Sequence, residues 1–154
     1  MWDRVREHVE IELDGLNRLI DDHRSLLKTL EQRDPVPWER SAIAAMLHSF
    51  YCGVENCFAR IAREIDGARV AGPDSHATLL MSMTKPARHR SAVIPVELAG
   101  RLKAYLRFRH FFRHAYTFNL DWLKMAPLVE ELEEVARDFE RAIRHSLNRE
   151  CAED

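Results

Sequence analysis

The stretch VEIELDGLNRLIDDHRSLLKTL (residues 9–30) decides the fold. Val9, Leu13, Leu16, Ile20, His23, Leu27 and Leu30 recur at alternating steps of four and three, which gathers them on one face of a long helix. Asp34-Pro35-Val36-Pro37 ends the pattern, because proline drives the residue before it out of helical geometry. The rhythm resumes in a second helix through Ile43, Leu47, Phe50, Val54, Cys57 and Ile61, and stops near Gly67.

From Ala68 to Val96 the periodicity lapses. Gly72-Pro73-Asp74 reads as a turn, and Asp74 is placed to cap a short helix over Ser75 to Met83. Lys85-Pro86-Ala87-Arg88-His89-Arg90 reads as a basic loop. Pro95 then opens a third long helix from about Val96 to Tyr116. Phe118 to Ala126 reads as a connector, with Pro127 opening a fourth helix through Leu128, Leu132, Val135, Phe139 and Ile143. No segment reads as a strand flanked by turns. The expected fold is all-α: an antiparallel four-helix bundle with a long loop and a short helix between helices two and three. A single domain accounts for residues 1–154.

Composition narrows the function. Hydrophobic residues make up 46% and charged residues 31%, as in ordinary globular proteins, and the net charge of −2 supplies no general attraction to nucleic acid. Cys52, Cys57 and Cys151 are an odd count without a CxxC pair, which argues against a disulfide scaffold or a zinc knuckle. No leader and no apolar run of membrane-spanning length is visible, so a cytoplasmic protein without a membrane segment is expected.

The third helix concentrates the chemistry in three stripes. Leu98, Leu102, Tyr105, Arg109, Phe112 and Tyr116 form a core seam interrupted by an arginine, a residue that is costly to bury without a partner or a polar cavity. Lys103, Arg107, His110 and His114 form a cationic or titratable stripe. Ala104, Phe108, Phe111 and Ala115 form a small-and-aromatic stripe, to be covered by a second copy of the chain or by helix one or two. No acidic residue lies between Glu97 and Asp121, while Arg101, Lys103, Arg107, Arg109 and Arg113 crowd together. Such a field suits a phosphate-bearing ligand, or else pairs with the acidic run Glu130-Glu131-Leu132-Glu133-Glu134; the two are compatible.

Arg109-His110-Phe111-Phe112-Arg113-His114-Ala115-Tyr116 resembles the Arg-x4-His-x-Tyr motif of HepT-like ribonuclease toxins in the HEPN superfamily. LHSFYCGVENCFARIAREI (residues 47–65) resembles the second helix of that family. The resemblance implies a metal-independent RNA endonuclease without cofactor, acting on tRNA or mRNA as the toxin of a toxin–antitoxin pair. Arg109 and His114 would be catalytic, with Lys103, Arg107, His110 and Arg113 on the RNA phosphates and Glu55 and Asn56 in support. A minimal nucleotidyltransferase antitoxin would adenylylate Tyr116. The alternative within the same superfamily is a non-catalytic partner or nucleotide-binding module of such a transferase.

Residues five apart point roughly 140° away from each other on an ideal helix. Convergence of Arg109 and His114 on one phosphate therefore requires a local distortion or a homodimer, built through helix three, that completes the cleft. Tyr116, seven residues from Arg109, is expected on the arginine's face or as a core tyrosine with a bonded hydroxyl. His48, Cys52 and Glu55 share a face and are weighed as metal ligands, against the plainer reading of a buried His and Cys beside a polar Glu. His23 reads as a satisfied core histidine, and His76, His89 and His145 read as surface residues.

Overall fold

A computed structural model describes residues 1–153. Its elements are α1 (Trp2–Leu30), α2 (Pro37–Glu64), α3 (Ser75–Ser82), α4 (Val96–His114), a single 3₁₀ turn (Thr117–Asn119) and α5 (Trp122–Glu153). No strand occurs among the described residues, and no helix is long and apolar enough to cross a membrane.

The four long helices form a ring: α1 packs on α2 and α5, and α4 packs on the same two. Side-chain pairs give the directions. Arg6 reaches Leu147 and Asn148, while Arg24 reaches Glu133, so α1 and α5 run antiparallel. Arg101 meets Asp138 and Tyr105 meets Leu128, so α4 and α5 do the same. The expected antiparallel bundle is therefore the fold. Phe58 of α2 stands edge-on to Phe139 of α5, and Phe50 of α2 to Tyr105 of α4. Aromatic pairs of this kind contribute about 0.5–1.5 kcal/mol each beyond the area they bury. Gly53 lets α1 approach closely, since a Cβ there would meet Leu16 Cδ2 at 2.6 Å.

Local chemistry sets the helix ends. Glu39 accepts the Val36 backbone N–H at the start of α2 and pairs with Arg33, contacts that hold its carboxyl below the usual range. After α2, Gly67 takes φ +65 while the Ala68 N–H bonds the Ala62 carbonyl, a left-handed helix stop that glycine adopts without strain.

The start of the last helix differs from expectation. α5 begins at Trp122, so residues 122–126 are helical rather than connector, and Pro127 lies inside the helix. The Asp121 side chain accepts the Leu123 N–H at 3.0 Å and supplies the cap. Proline here removes only the bond to the carbonyl of Leu123, an exposed residue.

The segment between α2 and α4 is ordered by one buried side chain. Arg90 is 6% exposed; its Nε and Nη2 each meet an Asp66 carboxylate oxygen at 2.8 Å, and it also bonds the carbonyls of Lys85, Ser91 and Ser82. The sequence from Lys85 to Arg90 is thus not a free basic loop, because its last cation faces inward. The Val93 and Ile94 N–H groups bond the Met83 carbonyl. Together these contacts seat α3 against α2 and α4.

Candidate nucleic-acid cleft

α4 is regular to His114, and Ala115 then turns extended, with φ −102 and ψ 146. The last turn therefore carries Arg113 and His114 but not Tyr116. A cleft of about 530 Å³ opens between α4 and the segment before and into α3. Lys103, Arg107, Arg109, His110, Arg113 and His114 line one side; Gly72, Pro73, Asp74, His76 and Ala77 line the other. Arg109 and His114 thus border one space within a single chain, without a distortion between them.

The charge of this cleft is largely uncompensated. Arg101 pairs with Asp138 and Glu134 of α5, so the acidic helix takes up one arginine of the field. Among the described residues, no carboxylate forms an ion pair with Lys103, Arg107, Arg109 or Arg113. The His110 and His114 rings lie 5.2 Å apart, one turn from each other. Five exposed or half-buried cationic and imidazole groups around Arg109 make a site for an anion with several oxygens.

Behind the cleft lies a polar layer on α2. Arg109 Nε donates to Cys52 Sγ at 3.3 Å, and Cys52 Sγ is 3.6 Å from His48 Nε2. The half-buried Arg109 thereby has a soft partner rather than a carboxylate. Of the two neighbours of Cys52, His48 follows from its place one turn earlier on α2, whereas Arg109 is brought by the packing of α4. Burial and the positive charges of Arg109 and Arg113 push the His48 imidazole below its ordinary range, so His48 is neutral. His48 Nδ1, Tyr51 OH and Glu55 Oε2 are buried without a hydrogen-bond partner among the described residues. Burial pushes the Tyr51 hydroxyl upward as well.

Glu55 reaches the cleft wall only through His76. Its Oε1 accepts from His76 Nδ1 at 2.7 Å, and His76 lines the cleft wall. His76 is consequently a half-buried, partnered residue and not the free surface histidine expected. Glu55 turns to His76 rather than to His48 and Cys52, and no three His, Cys, Asp or Glu side chains gather as a metal site among the described residues. Asn56, one step around α2, does not line the cleft: it is exposed and donates to Glu12 of α1 at 3.3 Å. His23 is half-buried and satisfied by the Leu19 carbonyl of its own helix; His89 and His145 are exposed.

Tyr116 departs most from its expected place. It is 71% exposed, lies beyond the helix, does not line the cleft, and stacks on Phe118 at 5.2 Å. It is neither a core tyrosine nor a neighbour of Arg109 on one helical face, because the helix ends two residues earlier. The aromatic stripe is also partly accounted for. Ala104, Phe108 and Phe111 border a groove of about 390 Å³ with Met125, Pro127 and Leu128, so it is the start of α5, rather than α1 or α2, that faces the stripe. Phe108 is buried there, while Phe111 remains 47% exposed.

No curated protein and no solved structure matched the chain. The family model for HepT-like proteins matches residues 42–149, which run from the second turn of α2 through nearly all of α5 and contain both walls of the cleft. The chain belongs to the HepT-like proteins of the HEPN superfamily.

Proposed function

We propose that this HepT-like protein is a metal-independent RNA endonuclease, the toxin of a pair whose antitoxin is a nucleotidyltransferase. The observation that carries the reading is the cleft itself, where Arg109 and His114 border one space among cations that form no ion pair among the described residues. RNA presents both the phosphate such a field attracts and an internal nucleophile, the ribose 2′-hydroxyl.

In this reading the 2′-oxygen attacks the adjacent phosphorus and the bond to the 5′-oxygen breaks, leaving a 2′,3′-cyclic phosphate and a 5′-hydroxyl. His114 moves a proton as general base or acid, work that suits an imidazole. Arg109 stabilises the charge gathering on the phosphoryl oxygens through its fork of N–H donors, and Cys52 holds that fork in place. Lys103, Arg107, His110 and Arg113 hold the backbone of a tRNA or mRNA without reading its bases.

The exposed Tyr116 hydroxyl is open to a transferase, and adenylylation there would set a phosphodiester and a nucleotide two residues from His114. Phe111, with Phe118 and Leu123, leaves an apolar surface beside α4 that a second copy of the chain would cover, giving a homodimer. The test is incubation of purified protein with tRNA and total RNA in EDTA. Wild type should cleave, while Arg109→Ala and His114→Ala should not. Undiminished cleavage by His114→Ala would remove that residue from the chemistry.

A further inference from the structure

Cleavage by a 2′-hydroxyl requires two proton movements, one away from the nucleophile and one onto the departing 5′-oxygen. α4 supplies histidines on one wall of the cleft only. The other wall carries a single imidazole, His76, in the second position of α3. His76 is not loosely placed. Its Nδ1 donates to Glu55 Oε1 at 2.7 Å, and the Glu55 side chain is 16% exposed.

The second oxygen of Glu55 is buried and unpartnered. A carboxylate enclosed in this way is a poor tether for a short helix, since exposed polar groups would dock α3 without the desolvation. It is well suited to fixing an imidazole: with Nδ1–H held, the ring orientation is set and Nε2 is the position left for proton exchange. The seat of α3 is itself rigid, through Arg90 on Asp66 and the Met83 carbonyl on Val93 and Ile94.

We propose that His76, oriented by Glu55, is a second acid–base residue of this cleft, a role that rests on the ribonuclease reading above. His114 accepts the 2′-hydroxyl proton as the oxygen bonds to phosphorus. His76 gives its Nε2 proton to the 5′-oxygen as the P–O5′ bond breaks. The products are the cyclic phosphate and the 5′-alcohol, one histidine has gained a proton and the other has lost one, and exchange with water restores both. The two walls then act on opposite sides of one phosphate, with Arg109 on its oxygens.

The deciding experiment compares two RNA oligonucleotides carrying the wild-type cut site, one ordinary and one with the bridging 5′-oxygen replaced by sulfur. A thiolate leaves without a proton, so only the leaving-group acid becomes dispensable. His76→Ala and His76→Asn should cleave ordinary RNA about 10²–10⁴-fold more slowly than wild type and the sulfur-bridged RNA at the wild-type rate. His114→Ala should fail on both. The asparagine keeps an N–H for Glu55, and circular dichroism of both variants checks that α3 remains folded. Wild-type rates on ordinary RNA, or equal losses on the two substrates, would overturn the assignment of His76 alone. A wild type that cleaves neither oligonucleotide would overturn the ribonuclease reading and this role with it.

Discussion

Arg109 Nε donates to Cys52 Sγ at 3.3 Å, joining the motif arginine of α4 to a thiol of α2. The contact leaves the guanidinium held from behind by a weak acceptor that does not neutralise it, so its charge stays available to the cleft. Were the partner a carboxylate, much of that charge would be spent within the protein. The thiol therefore holds Arg109 in place without neutralising it.

Alkylation follows from this contact. Cys57 is fully buried and its thiol is pushed up to about 12, so it should resist N-ethylmaleimide, while the half-buried Cys52 and Cys151 react. An adduct on Cys52 displaces Arg109. Alkylated wild type should lose RNA cleavage, and alkylated Cys52→Ser should retain it. Equal inactivation of both proteins would show that Cys52 does not position the arginine.

The neutral His48 makes stability depend on pH. Its folded pKa is depressed, so below the ordinary value of 6.5 the unfolded chain takes up a proton that the folded chain refuses. Stability contributed here is present above that value and lost as pH falls beneath it. Denaturant melts between about pH 7 and pH 5 should fall more steeply for wild type than for His48→Phe, and parallel curves would contradict the account. Glu39, also depressed, adds a second loss below its ordinary 4.5, which Glu39→Gln should flatten.

Asp66→Asn tests the ordering of the segment between α2 and α4. It leaves the Arg90 guanidinium buried without its counter-charge, a change expected to destabilise by about 3 kcal/mol. Proteolysis of residues 68–95 should accelerate. A variant as stable and as protease-resistant as wild type would place the anchor elsewhere.

Tyr116 offers a separate test. Its exposure predicts that co-expression with a nucleotidyltransferase antitoxin adds an adenylyl group to this residue and suppresses cleavage, and that Tyr116→Phe stays unmodified and active. Modification of Tyr116→Phe at another tyrosine would contradict the assignment, and Tyr51 and Tyr105 are both buried.

Much of the bundle was legible because helix periodicity is a local property. The files Val9 to Ile20 in α1, Ile43 to Ile61 in α2 and Leu132 to Ile143 in α5 are buried as their spacing requires, although α2 buries a second, adjacent file as well, and α3 lies within one residue of its expected end. Misreadings arose where two local signals competed. Pro127 was the stronger helix-start signal, yet Asp121 was the cap in use, six residues earlier. Tyr116 fits the seam of α4 by spacing, but the chain leaves the helix at Ala115 and no residue there announces it.

The cleft was legible on one wall only. Lys103, Arg107, Arg109, His110, Arg113 and His114 share one helix, and their common field follows from their order. The pairing of His76 with Glu55 joins residues on α2 and α3 across a turn whose direction is set by the buried Arg90. Tertiary packing of that kind leaves no periodic trace, and so both His76 and the inward turn of Arg90 escaped the sequence reading.

The most direct test of the cleft's chemistry is end-group analysis of RNA incubated with the wild-type protein in EDTA. The account predicts fragments ending in 2′,3′-cyclic phosphate and beginning with 5′-hydroxyl, absent when Arg109→Ala replaces the wild type. Intact RNA, or fragments bearing 5′-phosphate, would contradict it.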